Sequence, residues 1–547
     1  MSTFNIADLY EALADAIPEN VALVADETRL TFAQLESRAN RLAHALAERG
    51  VGAGTHVGLH MYNHAAYPET MLACMKLRAV PININYRYVA DELRYMIDDA
   101  ELVAIVSHGV YAGLVDEANY EGSSLKSFIV VSDGFDGKLA DHWVEYETML
   151  AGQSDARDFG PRSNDDLFIV YTGGTTGMPK GVMWRHEDLF FAALQGGSPG
   201  GEPVESVEQL VEQAVEGWYA RTMLPCAPFI HGSAQLTSWI CTLTGAKVVI
   251  QTGRSFDPKR ILELIEQEQV GTINVVGDAM AQPLLEEIEK GSYDLSALEV
   301  FVSAGAILSP VYKNKIVELL GEDVMIINAF GSSESGHAGT AAEGEESTDG
   351  RPSFYMDETC AVLDDELNVI EPGSGKIGRL ARTGSLPLGY YKDPEKTAER
   401  FVEAHGKRWV LPGDFATVEE DGRITFMGRG SKCINTGGEK VFPEEVEETL
   451  KEHPAIVDAL VVGVSDARWG QKVAAVIQTR SGDALSLEEV QEHCRKHIAG
   501  YKVPRLVLSE AKVERMPSGK PDYTWAEKLA GAANAGSGEA AESGVKS

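Results

Sequence analysis

Tyr171-Thr172-Gly173-Gly174-Thr175-Thr176-Gly177-Met178-Pro179-Lys180-Gly181 follows an apolar run, Leu167–Tyr171, that reads as a buried strand. Gly173, Gly174 and Gly177 let the backbone fold tightly and turn its N–H groups toward an anion. Three threonines add hydroxyl donors, and Lys180 adds a positive charge. The combination suits a polyphosphate. A Walker loop needs Gly-Lys-Ser/Thr in a row, but Met178-Pro179 separates Gly177 from Lys180 and Gly181 follows the lysine. The Walker reading therefore fails on spacing. A plain surface turn would not concentrate so many glycines and threonines behind an apolar strand.

Outward from this loop, short β-rich runs alternate with helical patterns. Strands are predicted at Lys247–Gln251, Thr272–Val276, Leu298–Ser303 and Val324–Asn328, with a helix at Pro258–Gln269 between two of them. Nearer the N-terminus, Thr31-Phe32-Ala33-Gln34 has the form of a capping box ahead of Leu35, Ala39, Leu42 and Leu46 at helical spacing. Such alternation predicts an α/β fold, a large N-terminal domain of mostly parallel sheets covered by helices. Val204–Gly217 reads as a surface helix, and Gly344–Pro352 as a loop. After Gly428 the pattern changes to helix Pro443–Glu452, strands Ala459–Val464 and Lys472–Gln478, and helix Leu487–Ile498, a small α+β domain. The Ala/Gly/Ser/Glu-rich end, Gly531–Ser547, reads as disordered.

The chain has 547 residues, with 48 Lys+Arg against 83 Asp+Glu, a net charge of −35. That balance argues against nucleic-acid backbone and anionic membrane as partners. It leaves anionic small molecules open, because a local site can be basic on an acidic body. Hydrophobic residues at 44% and charged residues at 24% exclude a wholly disordered chain. The six cysteines, Cys74, Cys226, Cys241, Cys360, Cys433 and Cys494, form no Cys-x-x-Cys pair, which fits a reducing cytoplasm. No run approaches the roughly 18 apolar residues of a membrane span, and the N-terminus has no signal-peptide pattern.

The glycine- and threonine-rich loop resembles the phosphate loop of the adenylate-forming superfamily, which holds acyl-CoA synthetases, nonribosomal peptide adenylation domains and firefly luciferase. Further family motifs occur in order across about residues 5–525. Ser303-Ala304-Gly305 is similar to the small-residue segment lining the nucleotide site. Ala329-Phe330-Gly331-Ser332-Ser333-Glu334 resembles the aromatic-Gly-x-Thr-Glu motif, with Ser333 in place of threonine. The resemblance implies that Phe330 stacks on adenine and that Glu334, with Thr172, binds Mg²⁺. Pro412-Gly413-Asp414 matches the Gly-Asp motif, and Asp414 would hold the ribose hydroxyls; proline replaces the usual threonine. Gly428-Arg429-Gly430-Ser431-Lys432 resembles the hinge between the two family domains, with Arg429 on the nucleotide and the pivot at Ser431–Lys432. Gly437-Gly438-Glu439 resembles the loop lining the CoA tunnel, where glycines let a thin pantetheine arm pass. Met516-Pro517-Ser518-Gly519-Lys520 resembles the motif carrying the catalytic lysine.

The resemblance divides the chain into residues 1–427, a hinge at 428–433, a mobile small domain at 434–526 and a tail at 527–547. It implies an acyl-CoA synthetase using ATP, Mg²⁺ and CoA. A carboxylate attacks the α-phosphorus, and a thiol then attacks the acyl-AMP. Lys520, Thr172 and Glu334 would be catalytic; Gly173, Gly174, Thr175, Thr176, Gly177 and Lys180 would bind phosphate. In Pro228-Phe229-Ile230-His231-Gly232, Ile230 stands where amino-acid-activating relatives carry an amine-binding Asp, so a non-amino acid substrate is expected. His231, Gly232, Ser233 and Trp239 are the expected substrate-pocket residues. Gly181–Asp188 and Asn435–Glu447 are similar to actinobacterial ligases for fatty acids and steroid side chains. Alternatives are an aryl or other carboxylic acid CoA ligase, a luciferase-like oxygenase, an ADP-forming phosphotransferase and an inactive nucleotide-binding regulator. The expected setting is cytoplasmic, with a homodimer as the candidate assembly.

Overall fold

A computed structural model describes residues 3–172, 178–306, 308–342, 353–429, 432–436, 439–466, 470–498, 500–516 and 520–543. The N-terminal part contains two parallel sheets. One has five strands in the order Val80–Asn83, His56–His60, Leu102–His108, Ser127–Val131 and Trp143–Glu145, all parallel. The other has eight, running Gly336–Ala342, Met325–Ser332, Val300–Ala304, Thr272–Val275, Met223–Pro225, Val248–Ile250, Val21–Ala25 and Thr28–Thr31. Only the two edge strands of this sheet are antiparallel to their neighbours. Strands such as Val248–Ile250 are buried throughout, because helices cover both faces.

Helix boundaries follow local chemistry. Thr31 Oγ1 accepts from Gln34 N while the Gln34 side chain accepts from Thr31 N, the reciprocal capping expected for Phe32–Ala47. Helix Pro258–Glu268 begins with Asp257 as its cap and proline in its first turn.

Two antiparallel sheets were not legible in the alternation. Leu167–Thr172 and Lys180–Arg185 form a hairpin that Gly389–Tyr390 joins. A seven-stranded sheet runs from Ser353–Phe354 through Ile424–Arg429 and Asp414–Val418 to Phe401–Ala404. Several of its strands are short and only partly buried, so they lack the continuous apolar runs of the parallel strands.

The small domain is a five-stranded sheet with helices Pro443–Lys451, Leu487–Cys494 and Tyr523–Ser543. It has an apolar core on each face, one around Val446, Leu450 and Val461, the other around Leu460, Val462 and Val476. Here the sequence reading needs correction. The stretch expected to be disordered from residue 527 is helical through Ser543. Alanine is the best helix former, and Ala526 and Ala530, one turn apart, are fully buried against the second core.

Among the described residues, no cysteine forms a disulfide. Among the described residues, no helix is long and apolar enough to cross a membrane.

Candidate active site

The strand Leu167–Thr172 delivers the chain to the glycine-rich loop, and its end is held by a residue that sequence reading missed. Asn83, buried at the end of the five-stranded sheet, accepts from Tyr171 N at 2.8 Å and donates to Tyr171 O at 2.8 Å and Ile230 O at 2.7 Å. One amide thus ties the phosphate-loop strand to the segment preceding His231. Asn63 accepts from Phe229 N at 2.7 Å, and Gln235 Nε2 donates to Phe229 O at 2.7 Å. Three side-chain amides therefore fix the backbone that presents His231. Asn83→Ala should lower stability by about 3 kcal/mol, because it strands buried backbone groups. Denaturant unfolding checks this, and an unchanged midpoint would remove the clamp from the account.

Gly232 closes the contact from the other side. A Cβ there would lie 3.3 Å from Val170 Cγ1 and 3.7 Å from Ser333 Oγ. Ser333 is in turn fixed by Trp184 Nε1, which donates to its carbonyl at 2.9 Å. Glu334 lies in the turn that Ser332 and Ser335 close through reciprocal N–H to hydroxyl bonds of 3.1 Å. Its Oε1 accepts from the Tyr390 hydroxyl at 3.0 Å. Tyr390 pairs with Val182, and Thr172 pairs with Lys180 on the same hairpin. The Tyr390 hydroxyl thus ties Glu334, in a turn of the eight-stranded sheet, to the three-stranded sheet that carries Thr172. The Lys180 ammonium is paired with Asp393, at the start of helix Pro394–Arg400, which holds it beside the loop.

Ser303, Ala304 and Gly305 end a central parallel strand, where ligands of such sheets bind. Ser303 Oγ accepts from Gly277 N at 3.1 Å, and Gly305 takes a φ of 84°, which glycine adopts without strain. Ala329 is the register partner of Ala304. Phe330 lies half-buried, its ring centroid 5.3 Å from Phe354 and 5.4 Å from Phe426. Asp414 is buried and stands opposite Arg429 across an antiparallel pair, so the strands bring the two expected nucleotide residues together. Gly413 before it has a φ of 103°, and a Cβ would sit 2.7 Å from Arg400 Nη1.

Lys520 arrives from the small domain. Met516 N donates to Lys520 O at 2.8 Å, closing a turn, and Arg515 at its base forks onto Asp458 at 2.6 and 2.8 Å. The Lys520 Cε lies 3.7 Å from where a Gly305 Cβ would be. Its charge also reaches His231. Burial first, then the Lys520 and Arg87 charges, push the His231 pKa down to about 4, so the imidazole is neutral at neutral pH. Among the described residues, three buried polar atoms in this region have no hydrogen-bond partner: His231 Nε2, Asn274 Nδ2 and Asn328 Oδ1. Buried atoms of this kind normally find a partner, in the protein, in water or in a ligand.

Helix Gly232–Leu243 leads away from His231. Ser233, Leu236, Thr237 and Ile240 are half-buried on one face, small or apolar and without charge. Trp239 does not share that face. The helical turn carries it into the core, where it borders a small apolar cavity with Phe229, Met71 and Leu35. Ile230 is buried in a cluster with Tyr62 and Tyr86.

Some expected site residues lie outside the described residues: Gly173, Gly174, Thr175, Thr176 and Gly177, the CoA-loop Gly437 and Gly438, and hinge residue Ser431. Glu439 is described only as the first residue of strand Glu439–Val441.

Comparison with known proteins agrees with this geometry. Residues 10–391 match the AMP-binding enzyme family, and residues 445–520 match the AMP-binding enzyme C-terminal domain. The chain is 46% identical over 537 residues to a 3-oxocholest-4-en-26-oate–CoA ligase of Rhodococcus rhodochrous, covering 96% of each chain. It is 44% identical over 535 residues, again 96% of each, to a medium/long-chain-fatty-acid–CoA/3-oxocholest-4-en-26-oate–CoA ligase of Mycolicibacterium smegmatis. In fold it is similar to an anthranilate CoA ligase in complex with anthranoyl-AMP, with a TM-score of 0.82 at 23% identity over 98% of this chain and 99% of that one. With the family matched in both domains and a CoA ligase similar over nearly its whole length, this chain belongs to the AMP-binding enzyme family, among its AMP-forming acyl-CoA ligases, which take an acid, ATP and CoA.

Proposed function

We propose that the enzyme activates medium-to-long-chain fatty acids or steroid side-chain acids to acyl-AMP and pyrophosphate, then transfers the acyl group to CoA. The observation that carries this is Lys520, which crosses from the small domain to Gly305 and His231. Neither step needs a protein nucleophile. The first needs charge stabilised where a carboxylate meets the α-phosphate, and the second where the thiol adds to the acyl carbonyl and AMP leaves. Lys520 holds the α-phosphate in the first step, Asp414 the ribose hydroxyls, and Arg429 the nucleotide. Gly437, Gly438 and Glu439 line the CoA passage.

The carboxylate of Glu334 and the hydroxyl of Thr172 are hard oxygen donors of the kind Mg²⁺ takes. The Tyr390 hydroxyl orients that carboxylate. When bound, the cation would neutralise phosphate charge. The acid class follows from the uncharged face Ser233, Leu236, Thr237 and Ile240, from the absence of an acidic side chain at position 230, and from the names of the two relatives. The reading extends to a cytoplasmic homodimer without a nucleic-acid partner, the last supported by the net charge of −35.

A pyrophosphate-release screen over short, long, aromatic, amino and steroidal acids tests it. Expected is a maximum with long-chain or steroidal acids, and AMP as the nucleotide product. A maximum with benzoate or an amino acid would overturn the acyl class. ADP as product would overturn adenylation.

A further inference from the structure

Asp278 is the second residue of helix Gly277–Lys290, three residues beyond the end of the central strand Thr272–Val275. Its Oδ1 accepts from Ser309 N at 2.8 Å. Its Oδ2 takes the ammonium of Lys451 at 3.0 Å, across the boundary between the domains. Lys451 ends the small-domain helix Pro443–Lys451. The two side chains are only 9% and 14% exposed. A carboxylate at a helix N-terminus and an ammonium at a helix C-terminus each complement the helix that carries them.

The pair also lies close to the machinery that presents Lys520. Asp458 and Arg480 of the small domain, and Tyr312 of helix Pro310–Leu320, share its surroundings. Asp458 is the carboxylate gripped by Arg515, which stands at the base of the Lys520 turn. Two ion pairs therefore connect the large domain to the catalytic lysine, one between domains and one within the small domain.

We propose that Asp278 and Lys451 form a latch that positions Lys520 for acyl-adenylate formation and opens before thioester formation. This rests on the reading above, in which Lys520 serves the first step alone. Opening the latch returns both charges to water together, so the open state carries no stranded charge. Removing one partner strands the other in the closed state only, and the balance shifts toward the open state. Asp278 and Lys451 are positioning residues, acting through Lys520.

Lys451→Met and Asp278→Asn test the latch, the latter keeping an oxygen for Ser309 N. Each should slow pyrophosphate release by about tenfold. Thioester formation from supplied acyl-AMP should stay at or above the wild-type rate. The double variant should be no worse than the poorer single one, and Lys451→Arg should restore most of the first step. Each variant is compared at matched folded fraction by circular dichroism. Equal loss in both half-reactions, no loss in either, or additive losses in the double variant would overturn the latch. Lys520→Ala, run alongside, separates the two ideas. If it impairs both halves alike, the two-step reading fails; if it impairs only the first while the latch variants do not, the latch alone fails.

Discussion

Lys520→Ala is expected to cut pyrophosphate release by at least about 100-fold, the scale for losing a preorganised charge at a transition state. Thioester formation from supplied acyl-AMP should survive nearly unchanged. The asymmetry has a geometric origin. Lys520 belongs to the small domain, yet its side chain lies beside Gly305 of the large one. It is carried there on a turn closed by Met516 N to Lys520 O and anchored by Arg515 on Asp458. On the proposed two-step reading, a group mounted in this way leaves when its domain turns and serves the first step alone. The ammonium also acts on its surroundings, since its charge and burial keep His231 neutral. In Lys520→Ala the His231 pKa should therefore rise from about 4 toward its ordinary value, which a histidine NMR titration reads directly. Equal loss of both half-reactions would refute the one-step role.

The second large effect is on chain length. Each methylene buried in an apolar pocket contributes about 0.8 kcal/mol, or about fourfold in kcat/KM. Five added carbons should therefore raise kcat/KM by about 10³-fold over acetate, until the pocket is full. The face Ser233, Leu236, Thr237 and Ile240 bears no charge that would reject an alkyl chain or a steroid ring. Measuring kcat/KM from acetate to a C16 acid and a cholestenoate-type acid checks the slope. A flat series would mean that the acyl chain stays in water, and a maximum at acetate would place the specificity elsewhere.

Much of the proposed site is read from contiguous residues. The loop after Tyr171, the turn around Glu334, the Gly-Asp pair at 413–414 and the turn ending in Lys520 are each a few residues long. Glycine, hydroxyl and carboxylate at fixed local spacing imply a local geometry. The same holds for the parallel strands, whose burial on both faces leaves apolar runs, and for helix Phe32–Ala47, whose cap is written in Thr31 and Gln34. The side of its helix that Trp239 takes was not legible, because residue type alone does not say which side of a helix faces the core. The tail was misread because its composition suits a solvated chain, while Ala526 and Ala530 find a surface to cover.

The sequence by itself determined the class of fold and the kinds of group available: a loop rich in glycine and threonine, a carboxylate after Gly413, a lysine in the small domain, and no acid at position 230. The tertiary structure alone decided which distant residues hold those groups still. Asn83 reaches Tyr171 across 88 positions and Ile230 across 147, and Lys451 reaches Asp278 across 173. An asparagine or a lysine is a common surface residue, and nothing in its immediate neighbours names a partner so far along the chain. Such a bond forms only after separate sheets and domains have packed. Burial then makes an unpaired amide or charge costly and turns an ordinary polar side chain into a specific clamp.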